Sequence, residues 1–327
     1  MARRGEFALI GEVFAPLAAS CPAALGLGDD AAVLDWRGRG DLVVSADALV
    51  WGVHFLADDP PDTIARKCLR TNLSDMAAMG AKPVGVLLSA ALSPALDDAW
   101  MEGFAHGLGA DLADFSVGLL GGDTVSTPGP AQFSITILGS MDGHAPLTRS
   151  AAQVGDDLWV SGTLGDGALG LRVRQGQILG LSEDLRGHLV ERYRLPRPRV
   201  GLGLALRGLA HGCMDISDGL CADAGHLCAA SRVGLVIDAP ALPLSEAAAT
   251  VIADHPALFQ AVLGGGDDYE LLFTAAFADR DAVAATTAAT GVAVTRIGAV
   301  VAGTAVDVRD ADGKSVAVVA AGWSHGE

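Results

Sequence analysis

Short acidic motifs, most of them beside glycine, recur along this chain. They are Gly28-Asp29-Asp30, Ser45-Ala46-Asp47, Asn72-Leu73-Ser74-Asp75, Gly121-Gly122-Asp123, Asp215-Ile216-Ser217-Asp218 and Gly264-Gly265-Gly266-Asp267-Asp268. Glycine allows a sharp turn or a close approach of the backbone to a ligand, and carboxylate oxygens are preferred ligands of Mg²⁺. Several such motifs in one chain predict a site that binds magnesium and, through it, a polyphosphate.

Each motif also has a purely structural interpretation. Asp and Gly are common in turns, and a single histidine such as His54 is more often structural than a ligand. Asp75 is predicted to lie on a helix in an apolar segment, where an acid must be paired or metal-bound because burying it alone is costly. Ser217 or Asp218 is expected to cap the helix that follows Asp215, which leaves one of these acids for metal binding.

Strands and helices alternate in the first half of the chain and must position these acids. Strands are predicted over 41–49, 84–92, 117–120 and 132–141, and helices over 62–79 and 97–114. Asp47 is therefore expected at the end of a buried strand, and Gly121-Gly122-Asp123 directly after a short strand. A polar, turn-rich segment over 142–157 predicts a boundary between an N-terminal domain, 1–145, and a C-terminal domain, 146–327.

The second half contains further strands and one clearly amphipathic helix. Strands are predicted over 158–161, at 214–217, over 233–237 and 269–274, and in the tail from Val292. The helix after Asp215 places Leu220, Ala224 and Leu227 on one face. Three consecutive glycines, Gly264-Gly265-Gly266, indicate either a backbone surface open to a ligand or a flexible loop.

Composition excludes several classes of partner. The net charge of −17, from 22 basic and 39 acidic residues, argues against non-specific nucleic-acid binding and against anionic membrane surfaces. No apolar run is long enough to span a bilayer, and residues 1–14 contain no signal-peptide core. The five cysteines form no CxxC pair, which indicates reduced thiols in a cytoplasmic protein. No GxxxxGK[ST] loop or dinucleotide-binding GxGxxG motif occurs, so metal ions are the favoured means of holding phosphate.

In sequence and order the motifs resemble those of the thiamine-monophosphate kinase family, within the aminoimidazole ribonucleotide synthetase-like superfamily. The segments that carry the resemblance are GDDAAV, SxDxLVxGVHF, NLSDMAAMGAxP, GGDT, LTRS, DISDGL and GGxDYEL. The resemblance extends from about Gly5 to Trp323. It implies an α+β fold of two domains, in which an N-terminal mixed sheet with helices forms a dimer barrel and a C-terminal α/β domain follows. It also implies a homodimer.

The resemblance further implies ATP-dependent phosphorylation of thiamine monophosphate to thiamine diphosphate, with several Mg²⁺ ions and with ATP as co-substrate. The implied metal ligands are Asp30, Ser45, Asp47, Asp75, Asp123, Asp215 and Asp218. The implied ATP contacts are Gly122, Asp123, Arg149 and Ser217, and the implied substrate contacts are His54, Asp267 and Trp323. The acceptor is a phosphate oxygen that is already ionised, so no side-chain nucleophile or base is expected.

Two residues depart from the family's pattern, and two alternative functions stay open. Ala46 stands where Thr or Ser usually precedes the strand-end Asp, and Asp267 stands where Glu is usual. One alternative is another ATP-using enzyme of the same superfamily, acting on a purine-pathway amide or on selenide. Selenide chemistry predicts a reactive cysteine in a glycine-rich segment, a setting that Cys21 lacks. The other alternative is a non-catalytic protein that binds Mg²⁺ and nucleotide.

Overall fold

The computed structural model describes residues 6–27, 31–319 and 322, which divide into two compact units. The first unit comprises the described part of Met1–Met76 together with Lys82–His144, and the second comprises Ala77–Ala81 and the described part of Ala145–Glu327. Ala77 and Ala78 belong to a core cluster of the second unit that includes Trp159. Long-range packing, and not local sequence, therefore assigns this short segment to the second unit.

A four-stranded mixed sheet forms the centre of the first unit. Its strands are β1 Leu42–Val50, β2 Lys82–Leu92, β3 Gly118–Ser126 and β4 Gln132–Ser140. Their order is β1-β4-β2-β3; β2 and β3 are parallel and the other neighbours are antiparallel. Three strands lie where they were predicted, but the predicted bounds of the third, 117–120, are wrong because β3 continues through Gly121-Gly122-Asp123 to Ser126.

Helical segments accompany this sheet. They are α1 Glu6–Leu9, a π-helical turn Ile10–Phe14, α2 Ala15–Ala18, a 3-10 helix Pro22–Leu27, α3 Pro61–Ala78 and α4 Asp98–Asp114. Asp97 caps α4, and Phe104 of this helix stacks on Phe133 of β4 with ring centroids 4.5 Å apart. The fully buried Asp111 of α4 accepts a hydrogen bond from Arg70 Nε of α3 at 2.5 Å. A buried charge needs such a partner, so this contact fixes the two helices together.

The second unit is built on a six-stranded sheet. Its strands are β5 Asp157–Ser161, β6 Ala210–Asp215, β7 Gly234–Asp238, β8 Leu271–Ala275, β9 Val294–Val301 and β10 Val306–Arg309. Their order is β10-β7-β9-β5-β8-β6, in which β10 and β7 are parallel and the other neighbours antiparallel. With two mixed sheets and their helices, the fold is α+β, as predicted.

Helices and short 3-10 turns flank this second sheet. The helices are α5 Asp166–Arg174, α6 Glu183–Arg194, α7 Val200–Ala205, α8 Leu220–Ser231, α9 Glu246–Asp254, α10 Phe259–Gly264 and α11 Arg280–Thr290. The 3-10 turns are Ala239–Ala241, Pro256–Leu258 and Phe277–Asp279. Leu220, Ala224 and Leu227 of α8 are all fully buried in one core cluster, which confirms the predicted face. Among the described helices, none combines the length and the apolar composition needed to cross a bilayer.

Candidate functional site

In the first unit, β1 and α3 bring together three of the predicted metal ligands. The Ser45 hydroxyl donates to Asp75 Oδ2 at 2.6 Å, and the Asp47 backbone N–H donates to Asn72 Oδ1 at 3.1 Å. Ser45 and Asp47 point to the same face because side chains alternate along a strand. Asn72 and Asp75 are neighbours on α3 because they are three residues apart. The result is a half-buried group of oxygen donors on one side of the sheet.

The position of Asp47 differs from the prediction. It lies within β1 and not at its end, and exposure alternates along this strand, so β1 presents one face to solvent instead of being buried. The Asp47 charge also reaches the Cys68 thiol of α3. Burial, with a smaller contribution from that charge, raises the pKa of Cys68 far above its usual value. Asp47 therefore faces the helices, and its role as a metal ligand stays a prediction.

The glycine motif of β3 has a packing role inside the sheet. A Cβ atom added at Gly122 would lie 1.8 Å from the Leu88 carbonyl oxygen of β2, so the pairing of the two strands requires glycine there. The prediction that the motif follows a strand is wrong for this reason. Asp123 is exposed. Three strand spacings of about 4.8 Å separate β3 from β1, so Asp123 lies about 14 Å from the strand that carries Asp47. Within the described residues, the sheet does not bring these two acids together.

His54 makes structural contacts in the turn after β1. Its imidazole Nδ1 accepts a hydrogen bond from the Val50 N–H at 3.0 Å. The Lys67 ammonium group donates to the His54 carbonyl oxygen at 3.2 Å. These contacts fix the turn and the ring, which is half-buried. A substrate contact through His54 stays a prediction.

In the second unit, four predicted site residues meet where β6 ends and α8 begins. Asp215 is the last residue of β6 and is buried, and Ser217 and Asp218 follow in the turn that leads into α8. The Asp267 N–H donates to the Ser217 carbonyl oxygen at 2.8 Å, so the loop before β8 lies against this turn. A Cβ atom at Gly266 would lie 2.5 Å from the same oxygen. The glycine-rich loop is therefore closely packed against the turn, which argues against a flexible loop, whereas Gly265 is exposed and an open surface for a ligand stays a prediction.

The N-terminus of α8 is not capped as predicted. Its N-cap residue is Gly219, which has no side-chain cap, and neither Ser217 nor Asp218 supplies one. Instead, the backbone N–H groups of Ser217, Asp218 and Gly219 all donate to Asp223 Oδ2, each at 3.1 Å. Burial raises the pKa of Asp223 to about 7, and the charge of the nearby Asp215 carboxylate makes a smaller contribution in the same direction. The sequence reasoning missed Asp223, although an acid in the first turn of a helix is a recognisable signal.

The donor atoms around this turn fit a divalent cation. Ligand atoms of Asp218, Asp223 and His226 lie within 4.8 Å of one another. Carboxylates at such distances repel each other unless a cation or a proton compensates them. Carboxylate oxygens are the donors that Mg²⁺ prefers, whereas imidazole is typical of zinc and other transition metals. The Asp218 carboxylate is therefore a suitable donor for magnesium, whereas Asp223 Oδ2 already accepts three backbone N–H groups.

Three predicted site residues lie away from this turn or outside the described residues. The Arg149 carbonyl oxygen accepts a hydrogen bond from Ser231 Oγ at 2.6 Å, at the last residue of α8. A helix of twelve residues is about 18 Å long, so the Arg149 backbone lies near the end of α8 opposite to Ser217. Asp30 and Trp323 lie outside the residues that the structure describes. The proposed contacts of all three stay predictions.

Beyond Asp267, the chain enters a buried ionic cluster that the sequence reasoning missed. The Glu270 carboxylate is fully buried. It accepts hydrogen bonds from Ser161 Oγ at 2.5 Å, from Arg199 Nε at 2.6 Å and from Arg192 Nη2 at 3.0 Å. Two arginines thus compensate the Glu270 carboxylate inside the second unit, and Arg192 Nε also lies 3.9 Å from Asp166 Oδ2. The separation of these residues along the chain explains why no local pattern indicated the cluster.

Asp268 attaches the same loop to the start of α5. Its carboxylate oxygens accept hydrogen bonds from the Gly165 N–H at 3.0 and 2.9 Å, and burial raises the pKa of this carboxyl group to about 8. Arg192 Nη2 also donates to the Asp268 carbonyl oxygen at 3.3 Å. The Asp267 backbone is therefore held by the Ser217 turn on one side and by this buried cluster on the other.

Both units match one class of proteins. Residues 28–141 match the family described as AIR synthase related protein, N-terminal domain, and residues 153–311 match the corresponding C-terminal domain. These matches cover more than half of the chain, which is thus an AIR synthase related protein.

Relatives narrow this class further. A thiamine-monophosphate kinase of Caulobacter vibrioides is 43% identical over 324 residues, which are 98% of this chain and 91% of that protein. The crystal structure of thiamine-monophosphate kinase from Stenotrophomonas maltophilia K279a is similar with a TM-score of 0.85 and 41% identity, covering 97% of this chain and 99% of that one. The structure of AaThiL complexed with AMPPCP and TMP is similar with a TM-score of 0.78 and 30% identity, covering 98% of this chain and 97% of that one. The chain belongs to the thiamine-monophosphate kinase family.

Proposed function

We propose that this protein transfers a phosphoryl group from ATP to the phosphate of thiamine monophosphate, which gives thiamine diphosphate and ADP. The observation that carries this proposal is the 43% identity with a thiamine-monophosphate kinase over 98% of the chain. A relative similar over 98% of this chain, AaThiL, is complexed with AMPPCP and TMP, which are an ATP analogue and the proposed acceptor. The oxygen donors grouped in each unit support the same chemistry.

The acids of the two units are proposed to hold Mg²⁺. When bound, Mg²⁺ would supply the positive charge that a chain of net charge −17 lacks beside phosphates. The proposed ligands are Ser45, Asp47, Asp75 and Asp123, with Asp30, in the first unit, and Asp215 and Asp218 in the second. The hydrogen bond from Ser45 to Asp75 fixes the rotamer of that carboxylate and so prepares it for a cation.

The chain's own residues have to bind and orient two anionic substrates. The acceptor oxygen is ionised at neutral pH, so positioning and charge neutralisation are sufficient and no side chain has to remove a proton. The proposed ATP contacts are Gly122, Asp123, Arg149 and Ser217, and the proposed substrate contacts are His54, Asp267 and Trp323. Asp267 is one methylene shorter than the usual Glu, but its hydrogen-bonded backbone fixes the position from which it acts.

A substrate screen tests the proposed function directly. We expect the purified protein, with Mg²⁺ and ATP, to convert thiamine monophosphate to thiamine diphosphate, measured by chromatography of the products. Turnover of a purine-pathway amide or of selenide instead would identify another enzyme of the superfamily. Tight binding of Mg²⁺ and nucleotide without any turnover would identify a binding protein.

Substitution of Asp75 tests the metal assignment in the first unit. Asp75→Asn keeps the shape of the side chain and a hydrogen-bonding group for Ser45, but it removes the charge. We expect it to abolish turnover while the circular dichroism spectrum stays unchanged. The matched control is Asp114→Asn, which changes an exposed acid at the end of α4. Full activity of Asp75→Asn would remove this residue from the proposed metal site.

A homodimer formed through the first unit is proposed as well. Val44, Leu87 and Val125 are 55%, 39% and 52% exposed, and the register of the sheet places them on the face opposite to the one that Phe133 shares with α4. An apolar face of this kind is typical of a contact between proteins. We expect Val44→Lys to give a monomer in sedimentation experiments, while Val154→Lys, at a 60% exposed site of the second unit, stays dimeric. A monomeric wild type would refute the proposal.

A cytoplasmic location is proposed with this function. All five cysteines are free thiols, of which four are buried and Cys21 is partly exposed. Thiols stay reduced in the cytoplasm, whereas secreted proteins usually pair them. Cell fractionation followed by detection of the protein in the cytoplasmic fraction tests this location.

A further inference from the structure

Asp223 occupies the N-terminus of α8 with a carboxylate from the helix itself. It is the fourth residue of α8 and only 2% exposed. A single oxygen, Oδ2, receives the N–H groups of Ser217, Asp218 and Gly219, at 3.1 Å each. Three consecutive amides directed at one oxygen form the kind of concave anion-binding site that usually receives a phosphate. Here the protein's own carboxylate fills it.

This arrangement has two consequences for the residues of the turn. Because Asp223 satisfies the backbone amides, the side chains of Ser217 and Asp218 are not used as helix caps and stay available for a ligand. Because the amides are occupied, they do not hold a phosphate group as the amides of an open helix N-terminus do. Any phosphate at this turn has to be bound through side chains or through a cation.

The same turn also controls the loop that carries Asp267. Gly219 has a φ of +132°, and a Cβ atom there would lie 2.8 Å from the backbone of Gly264. The carbonyl oxygen of Ser217 accepts the hydrogen bond from the Asp267 N–H at 2.8 Å. A change in the path of this turn would therefore move two backbone segments together.

We propose that Asp223 is a positioning residue, which holds the Ser217–Gly219 turn so that Asp215 and Asp218 present their carboxylates to Mg²⁺ and nucleotide. The inference rests on the proposed function, because that function assigns the metal to these two acids. Asp223 acts through the backbone of the turn, and contact with substrate is not required of it. Removing it lets the three amides and the two acids rearrange.

The test compares Asp223→Ala with the wild type in binding and in turnover. Calorimetric titration with Mg²⁺ and AMPPCP measures binding without catalysis, and a Mg²⁺ titration of thiamine diphosphate formation measures turnover. Loss of a residue that orients metal ligands typically weakens metal binding about 10-fold to 100-fold, so we expect the Mg²⁺ midpoint of Asp223→Ala to rise by that factor. The KM for thiamine monophosphate at saturating Mg²⁺ is expected to change less than the Mg²⁺ midpoint. Hydrogen exchange of the peptide that covers 216–224 is expected to become faster.

Two further variants separate positioning from general stability. Asp223→Asn keeps the shape and one oxygen acceptor, and we expect a smaller rise of the Mg²⁺ midpoint in the same direction. Asp97→Ala removes the cap of α4 in the first unit, where Asp97 Oδ1 accepts the Trp100 N–H at 2.9 Å. This control is expected to lose thermal stability while its Mg²⁺ midpoint stays that of the wild type.

The possible outcomes distinguish this inference from the proposed function. If Asp223→Ala has the same Mg²⁺ midpoint as the wild type, and only the fraction of active protein is reduced, the positioning role is overturned. If Asp223→Ala does not fold, Asp223→Asn takes its place. The positioning role is then overturned if the Mg²⁺ midpoint and the nucleotide affinity of Asp223→Asn equal those of the wild type. A wild type that binds Mg²⁺ and AMPPCP without converting thiamine monophosphate refutes the proposed function alone, and the binding comparison still decides the role of Asp223. A wild type that shows neither binding nor turnover refutes both.

Discussion

Replacing Glu270 by Gln is expected to destabilise the second unit strongly, because this carboxylate compensates two arginines in the interior. Arg192 is 3% exposed, and the Arg199 side chain is 16% exposed. Both donate to Glu270, together with the Ser161 hydroxyl. Gln keeps the volume of Glu and one oxygen acceptor, but it removes the negative charge and places an amide NH₂ group among the donors.

The magnitude follows from the burial of the partners. Removing one member of a buried ion pair costs about 3–5 kcal/mol, because the remaining charge is left without compensation. For a unit of this size, each kcal/mol lowers the melting temperature by about 2–4 °C, so Glu270→Gln is expected to lower it by about 6–20 °C. An exposed ion pair contributes only about 0–1 kcal/mol.

The matched control is Glu191→Gln, which makes the same chemical change in an exposed pair. Glu191 accepts a hydrogen bond from Arg197 at 3.3 Å, and the two side chains are 55% and 49% exposed. Thermal and urea unfolding of both variants, followed by far-ultraviolet circular dichroism, gives the comparison. If Glu270→Gln loses no more stability than Glu191→Gln, this cluster does not stabilise the second unit.

Three further predictions follow from individual contacts. Gly122→Ala is expected to destabilise the first unit by about 1–3 kcal/mol, since its Cβ would lie 1.8 Å from the Leu88 carbonyl oxygen. Gly121→Ala, whose Cβ would meet only Leu87 Cδ2 at 3.4 Å, is expected to cost clearly less, and equal losses in urea unfolding would contradict this account. The hydrogen bond from Arg280 lowers the pKa of Asp157 in the folded protein. The ionised carboxylate therefore stabilises the fold at pH values above the pKa of Asp in the unfolded chain, about 3.9, and this stabilisation is lost as the pH falls through the pKa of Asp157 in the folded protein. Asp157→Asn is therefore expected to be less stable than the wild type at pH 7 and to approach it in strong acid, and parallel pH profiles of the melting temperature would refute this. Burial raises the pKa of Cys68, Cys213, Cys221 and Cys228, so a thiol reagent at pH 8 is expected to label Cys21 first and the other four only after unfolding, as mass spectrometry of the labelled peptides would show.

Local patterns predicted the elements whose signals lie within a few residues. Helix α3 was predicted over 62–79 and lies at Pro61–Ala78, and β2 and β4 lie within two residues of their predicted bounds. The buried face of α8 follows from the spacing of Leu220, Ala224 and Leu227. Each of these predictions depends on the period of apolar residues or on a helix-ending glycine, which neighbouring residues determine.

Other features depended on partners that no local pattern identifies. β3 continues through Gly122 because its neighbour in the sheet is Leu88, and a glycine pair alone is equally consistent with a turn. Ser217 and Asp218 both satisfy the local rule for a helix cap. The backbone N–H groups of the turn nevertheless donate to Asp223, because the turn folds over that buried carboxylate.

By itself, the sequence determined the family, the kinds of donor atom and most of the strands and helices. The tertiary structure decided which of those donors meet. Ser45 contacts Asp75 across 30 residues of chain, and Ser161 contacts Glu270 across 109, whereas Asp123 and Asp47 lie on strands at opposite edges of one sheet. The physical reason is that local propensity acts over a turn or a strand, while the compensation of a buried charge depends on whichever segments the packed core brings together.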